Sequence, residues 1–337
     1  MASSSEGGYS GSGRKFWLLG IGVAAAIALY TAGWFYAANQ LQSRLTALLG
    51  RNPESGVTVD CPDMAFRGFP FRIGLFCSKV TVDDKPNGLS ATFGALRSAA
   101  QVYAPWHAVW EMDGPAEIRA TPGITLSANW EKLQSSIRTN LTGVDRTSTL
   151  IEGITASLFS TLTPKKLDLT ATRSEIHLRQ NGRDLDAALL FENAQAKIEG
   201  DPRQLPVLSG SADLTLVDKA GYLNGKDESG SGPYGAKGEL RHVVLDAGDG
   251  RVLTLSGPFS ISDEGLLSGN FRVEVEKIAA WSETLIAAIP GQRNALGLAA
   301  SLLKSLGEGK DNAAVDLKVK DGVVMLSFIP IGAIPPI

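Results

Sequence analysis

The hydrophobic positions of this chain follow two different patterns. Phe16–Ala38 is an apolar run, FWLLGIGVAAAIALYTAGWFYAA, without a charged residue. At about 1.5 Å per helical residue the run extends for about 35 Å, which exceeds the roughly 30 Å hydrocarbon core of a bilayer. No comparable run follows it in the sequence. We therefore predict one transmembrane helix over residues 16–38, which makes the lipid bilayer a partner of the chain.

Helical spacing continues beyond this run. Leu41, Leu45 and Leu48 recur at helical intervals before Pro53 ends the pattern. Residues 39–52 are therefore predicted to form a helical stalk that leads out of the membrane. Residues 1–15 are rich in Gly and Ser and carry no apolar periodicity, which predicts a disordered cytoplasmic tail.

From residue 53 to residue 337 the dominant pattern is a two-residue alternation. Phe271, Val273 and Val275 alternate with charged side chains, for example. The same alternation recurs at Val57/Val59, Phe71/Ile73/Leu75, Leu167/Leu169, Ile176/Leu178, Leu214/Leu216 and Val315/Leu317/Val319. Strands with one apolar and one polar face are typical of an antiparallel sheet that covers something apolar on one side. The sequence predicts a mostly β (α+β) domain, residues 53–337, built on a large antiparallel, curved sheet or a sandwich.

One segment near the C-terminus breaks the strand pattern. Ile278, Trp281 and Leu285 recur at helical spacing, and a second helical pattern follows Pro290. We predict two short amphipathic helices there. They are expected to pack on a face of the sheet or to close its end, and contact with lipid is the alternative.

Charge and motifs narrow the functional classes. The chain has 32 Lys and Arg against 35 Asp and Glu, with no basic stripe, so no nucleic-acid partner is expected. A GxGxxG string at 230–235 contains Pro233 and lies in a polar stretch, which does not fit a dinucleotide site. The three histidines are scattered, so no metal site is expected. We predict no cofactor and no enzymatic activity.

The two cysteines bear on the cellular compartment. Cys61 and Cys77 lie in a segment that reads as two strands joined by a turn, and cysteines on a hairpin can approach to bridging distance. In an oxidising compartment we expect a disulfide, with a pair of buried thiols as the alternative. Arg14 and Lys15 beside the start of the apolar run also favour a cytoplasmic N-terminus.

These arguments together predict a location. We expect a single-pass protein of the inner (cytoplasmic) membrane, with its N-terminus in the cytoplasm and its C-terminal domain in the periplasm. A cleaved signal peptide is the alternative. It is disfavoured because the apolar run is longer than the roughly 7–15 residues of a signal h-region and ends in aromatic residues.

A short motif lies between the two cysteines: Gly68, Phe69, Pro70, Phe71 and Arg72. The glycine permits a bend, and the proline fixes the chain at an edge or bulge. The two phenylalanines are expected to pack, and the arginine is expected to face water or a carboxylate. None of these residues could act alone as an acid, base or nucleophile, so a structural role is predicted.

Several of these features occur together in a known family. The N-terminal anchor, the cysteine-bracketed GFPFR hairpin, the long β-rich middle and the closing segment Asp321–Pro336 resemble the bacterial domain-of-unknown-function family numbered 2125. That family has no established activity to carry over. More distantly, the hairpin and the alternating strands look like AsmA-type envelope proteins. That likeness implies a long curved sheet that shields lipid, and it is an analogy of fold alone.

Two functions from different classes follow. The leading hypothesis is a non-enzymatic envelope protein that handles a lipid or another apolar ligand on a one-sided sheet. The rival is a scaffold or assembly factor of the cell envelope whose apolar face is filled by its own side chains. An open apolar groove would favour the first hypothesis, and a closed core would favour the second.

Overall fold

A computed structural model describes residues 12–49, 56–162, 165–201, 203, 205–225 and 234–337. Within these residues the chain forms one long N-terminal helix, an antiparallel sheet of 20 strands and two further α-helices. The predicted fold class is confirmed: the sheet is open and curved, and the two helices lie near the C-terminus.

The N-terminal helix α1 spans Ser12–Leu49. It begins four residues before the predicted span and continues through the predicted stalk as far as Leu49. Its segment Gly13–Ser43 is long and apolar enough to cross a membrane. The rest of the predicted tail, residues 1–11, and the end of the predicted stalk, residues 50–52, lie outside the described residues.

The strands run in chain order from residue 57 to residue 333. The first ten are β1 (Val57–Asp60), β2 (Ala65–Arg67), β3 (Arg72–Cys77), β4 (Val80–Asp84), β5 (Leu89–Phe93), β6 (Leu96–Gln101), β7 (Ala104–Met112), β8 (Ala116–Ala120), β9 (Ile124–Asn129) and β10 (Lys132–Asn140). The others are β11 (Gly143–Ser160), β12 (Lys166–Asn181), β13 (Asp184–Ile198), β14 (Leu208–Leu216), β15 (Lys237–Asp246), β16 (Val252–Ile261), β17 (Leu267–Glu276), β18 (Asn312–Lys320), β19 (Val323–Leu326) and β20 (Ile329–Ala333).

The sheet branches at the long strand β11. On one edge, β11 pairs with β10 through its first half and with β9 through its second half, while its other edge pairs with β12 along both halves. One branch continues as β10-β7-β6-β3-β2, and the other as β9-β8-β5-β4-β1. From β12 each strand pairs with the next one as far as β20.

The two branches meet along a line of interruptions that we call the crease. The backbone N–H of Gly94, between β5 and β6, donates to the carbonyl of Asp113, between β7 and β8. The N–H of Glu131, between β9 and β10, donates to the carbonyl of Glu152 in β11. The next residue, Gly153, has a φ of +63°, a conformation that suits glycine. Without the crease, β1–β10 would join end to end in pairs as five long strands. The crease therefore divides this part of the sheet into two joined halves.

Cross-strand neighbours share a face of the sheet, so the register identifies each face. One row of neighbours is mostly apolar: Trp110, Ser135, Thr149, Ile176, Leu189, Ala212, Val243, Leu255, Val273 and Val315. We call the side that carries this row the apolar face. A row on the opposite side reads Arg138, Arg146, Arg179, Asp186, Thr215 and Glu239, and we call that side the polar face. The one-sided sheet inferred from the alternation is thus realised in this part of the molecule.

Helices α2 (Ile278–Ala288) and α3 (Arg293–Leu306) cover one end of the apolar face. Ile278 and Trp281 of α2 are buried against Val275 and Ala313 of the sheet, and Leu303 of α3 packs against the same cluster. The helices thus bury the strand ends of β15–β18 and leave the middle of the apolar face uncovered by them.

Candidate functional site

An apolar groove lies on the apolar face beside the two C-terminal helices. Its volume is about 440 Å³, within the roughly 300–1,000 Å³ of small-molecule sites. Every lining side chain is aliphatic or a phenylalanine: Leu240, Leu255, Phe259, Ile261, Leu267, Phe271, Val273, Leu317, Val319, Val324, Ile334 and Ile337. Such a lining can hold hydrocarbon by burial of apolar surface, and these side chains supply no acid, base or nucleophile.

The C-terminal segment closes one side of the apolar groove. The N–H of Ile334 donates to the carbonyl of Gly322 over 2.7 Å, and the N–H of Ile337 donates to the carbonyl of Gly265 over 3.0 Å. The hydroxyl of Tyr234 donates to the carbonyl of Ile337 over 3.2 Å. These bonds hold the apolar end of the chain across the turns that follow β16 and β18.

The apolar face continues from the groove toward the middle of the sheet. The register leads from Val273 through Leu255 and on to Leu189 and Ile176. Leu189 and Ile176 are 40% and 41% exposed, which is high for large aliphatic side chains in central strands. The apolar surface is therefore larger than the groove itself and is partly open to whatever surrounds the domain.

The polar face carries a network of ion pairs centred on Asp186. This side chain is buried, and it accepts hydrogen bonds from Arg179 over 2.6 Å and from Thr215 over 2.8 Å. Arg241 also contacts it at 3.2 Å and pairs with Asp213. Burial alone would raise the pKa of Asp186, but the hydrogen bonds and the two arginine charges outweigh burial and lower that pKa. Asp186 is thus held ionised as a structural anion.

A second polar cluster borders a cavity of about 560 Å³ on the same face. Arg97 donates two hydrogen bonds to Asp113, and this pairing lowers the pKa of the Asp113 carboxyl. His177 lies 2.9 Å from Glu175, and hydrogen bonds from His177 and from Arg173 lower the pKa of Glu175. A general acid near neutral pH needs a raised carboxyl pKa, so these shifts point to paired structural charges.

Metal chemistry is not indicated by the described residues. No group of three or more His, Cys, Asp or Glu side chains among them could hold a metal ion. The expected absence of a cofactor remains a prediction.

The GFPFR motif forms the tip of the β2–β3 hairpin, and the tip packs against helix α1. The Phe69 ring lies 5.6 Å from the Trp34 ring and 5.7 Å from the Phe35 ring, measured between centroids. The hydroxyl of Tyr30 donates to the carbonyl of Pro70, and Nε1 of Trp34 donates to the carbonyl of Arg72 over 3.0 Å. The motif therefore joins helix α1 to the sheet.

Each residue of the motif has a distinct environment. Gly68 has a φ of +119°, and a Cβ there would lie 2.8 Å from the Arg72 carbonyl oxygen, so the bend requires glycine. The expectation that both phenylalanines pack is wrong for Phe71. Its side chain is 67% exposed, whereas the ring of Phe69 packs against the rings of Trp34 and Phe35. The Arg72 side chain is exposed, as expected.

A disulfide joins Cys61 to Cys77, with their Cα atoms 5.7 Å apart. The sequence suggested that the bridge would link two paired strands of one hairpin. In the structure it does not. Cys61 follows β1, which pairs with β4, whereas Cys77 ends β3, which pairs with β2 and β6. In the pairing of β1 with β4, the apolar residues Val59 and Val82 are cross-strand neighbours. The disulfide therefore connects the two branches of the sheet near their outer edges.

Sequence reasoning missed the contact between the hairpin and the helix. Trp34 is only 8% exposed although most of the neighbouring side chains of the helix are exposed. Ala38, one turn later, is 7% exposed. A signal was present, since Tyr30, Trp34 and Ala38 are spaced by four residues and so share one helical face. Nothing in the alternation pattern indicated which segment would cover that face.

Comparison with models of protein families identifies a bacterial family. The model of a family described as an uncharacterized protein conserved in bacteria (DUF2125) matches residues 34–335. No curated protein matches the chain. No solved structure matches it either.

Proposed function

Because the chain belongs to the uncharacterized bacterial family DUF2125, whose description names no activity, we propose a function from the molecule's own architecture. We infer a membrane-anchored envelope protein that handles a lipid or another apolar ligand on the apolar face of its sheet, without enzymatic activity. The apolar groove carries this proposal, since an open hydrocarbon-lined cavity of this volume is suited to an apolar ligand.

The proposed location is the inner membrane, with the C-terminal domain in the periplasm. Helix α1 supports it by length and composition, and Arg14 and Lys15 lie at the N-terminal end of the apolar run. The disulfide between Cys61 and Cys77 suits an oxidising compartment. A fusion of alkaline phosphatase after Ile337 is expected to be active in a bacterial host. An inactive but intact fusion would refute a periplasmic C-terminus.

The rival proposal is a scaffold or assembly factor that binds no ligand. Helices α2 and α3 and the C-terminal segment support it, because they already cover part of the apolar face with the chain's own side chains. The two proposals differ in what they expect of the apolar groove: an occupant in the first, and none in the second.

Lipid analysis by mass spectrometry separates the two. Full-length protein purified in mild detergent is expected to carry lipid after extensive delipidating washes. Val273→Asp places a carboxylate in the groove and is expected to abolish that retained lipid. Asn270→Asp adds the same charge to an exposed position of the same strand and is the matched control. Folded wild-type protein without retained lipid would refute the ligand proposal and favour the scaffold.

A further inference from the structure

Three turns lie side by side at the end of the sheet that contacts helix α1. The β2–β3 loop comprises residues 68–71, the β6–β7 turn residues 102–103 and the β10–β11 turn residues 141–142. The N–H of Val102 donates to the carbonyl of Phe71 over 3.0 Å, and the hydroxyl of Thr139 donates to the carbonyl of Trp106 over 3.3 Å. These contacts make the three turns one continuous surface, which we call the rim.

The rim exposes large apolar and aromatic side chains. Phe71 is 67% exposed, Tyr103 is 68% exposed, and Leu141 is fully exposed, while Trp106 beside them is 55% exposed. Tight turns normally carry small or polar residues such as Gly, Asn, Asp and Ser. Clustered exposed aromatics of this kind mark an interaction site, and Tyr and Trp suit a surface that is apolar on one side and wet on the other.

The contact with helix α1 indicates the depth of the rim. If the hydrocarbon core begins at Phe16, directly after Lys15, about 20 residues at 1.5 Å each bring its far boundary to Phe35. Tyr30, whose hydroxyl meets the Pro70 carbonyl, then lies about 7 Å inside that boundary. This depth falls within the roughly 5–10 Å at which interfacial elements insert into the headgroup and acyl region.

Turns that lie farther from the helix at the same end of the sheet carry charged residues. From β3 to β11 the branch crosses four strand spacings of about 4.8 Å, so the rim extends for about 19 Å along the sheet. The following turn at the same end contains Gly182 and Arg183, and a later one contains Asp263 and Glu264. Arg67 and Arg72 flank the β2–β3 loop at the height of the headgroups. Exposed aromatic side chains beside the helix, flanked by arginines and followed by a charged turn, fit a bilayer as the occupant of the rim.

We propose that the rim inserts into the leaflet that adjoins the domain, as a second membrane contact beside helix α1. The proposal rests on the proposed function only in that α1 spans the bilayer, and it does not require a ligand in the apolar groove. A spanning helix alone can tilt and rotate in the bilayer and carry the docked domain with it, whereas two contacts on one bilayer fix the tilt and the rotation of the sheet. The rim thus holds the domain in one orientation against the membrane surface.

Site-directed spin labelling of the full-length protein in vesicles of phosphatidylethanolamine and phosphatidylglycerol tests the proposal. Nitroxides are attached to Tyr103→Cys and Leu141→Cys, whose exposed positions tolerate substitution. Arg183→Cys in the polar turn is the matched control, and Ala26→Cys within the span reports on the helix itself. Collision with oxygen, which partitions into lipid, is compared with collision with a water-soluble nickel chelate.

At positions 103 and 141 we expect oxygen to collide with the labels several-fold more often than the nickel chelate does, and we expect the reverse at position 183. Chelate access at 103 and 141 equal to that at 183 would overturn the inference. Protection from both reagents would also overturn it, since that result would indicate a protein partner on the rim. A label at position 26 that is open to the chelate would instead refute the anchor, and hence the proposed function as well.

Discussion

Loss of the disulfide between Cys61 and Cys77 should destabilise the domain by a magnitude that the loop length sets. The bridge closes a loop with a sequence separation of 16, for which the chain-entropy model gives about 3 kcal/mol. For domains of 150–250 residues each kcal/mol corresponds to roughly 2–4 °C, and residues 53–337 form a larger domain, so Tm should fall by about 6 °C or slightly less. The change is Cys61→Ser together with Cys77→Ser. Urea unfolding of the full chain in detergent micelles, followed by circular dichroism of the strands, measures the loss in the free energy of unfolding.

Two comparisons make this prediction strict. Reduction of the wild type should lower its stability to that of the double variant, and the same reductant should leave the double variant unchanged. The bridge joins two branches that also share the continuous strand β11, so both branches should still unfold in one transition. A loss below about 1 kcal/mol would refute the reasoning that the bridge restricts the unfolded chain over this loop.

Three further predictions concern single side chains. Gly68→Ala should cost about 1–3 kcal/mol in thermal unfolding, because φ at this position is +119° and a Cβ would clash with the Arg72 carbonyl; an unchanged Tm would contradict this. Phe69→Ala removes aromatic contacts with Trp34 worth about 0.5–1.5 kcal/mol and should speed proteolysis of the β2–β3 hairpin, whereas an unchanged cleavage rate would argue against docking. The native pKa of Asp186 is lowered, so the unfolded state binds its proton first as pH falls. The ionised Asp186 therefore stabilises the folded state above the ordinary aspartate pKa of about 3.9, and this stabilisation is lost as pH falls through the native pKa. In acid titrations, the free energy of unfolding of Asp186→Asn should fall less steeply below about pH 4 than that of the wild type.

The strands and their faces were predictable because the alternation is local. Phe271, Val273 and Val275 place three apolar side chains on one face whatever their neighbours are, and the structure puts all three on the apolar face. The long apolar helix and the break at Pro290 were predictable for the same reason: each depends on residues within one turn or one strand.

The pairing partners and the site were less accessible from the sequence. The crease depends on short interruptions in separate strands meeting one another, and the glycine that bends β11 reads as an ordinary glycine within a strand pattern. The pairing of β1 with β4 depends on competition between several apolar strands of similar length. Docking of Phe69 on Trp34 joins residues 35 positions apart, and the lining of the apolar groove comes from separate strands and the C-terminal segment, so neither carries a local signal.

The meander from β11 to β20 has a consequence for the reach of the molecule. The row of apolar neighbours runs across the strands, so each added hairpin lengthens this surface by two strand spacings, about 10 Å, without changing the width of the strands. From β3, beside the helix, to β20 the main branch crosses thirteen spacings, or about 60 Å along the sheet. The distance that the apolar surface covers is therefore set by how many hairpins the chain repeats. A protein of this architecture can be lengthened or shortened by whole hairpins while the contact between helix α1 and the β2–β3 hairpin stays the same.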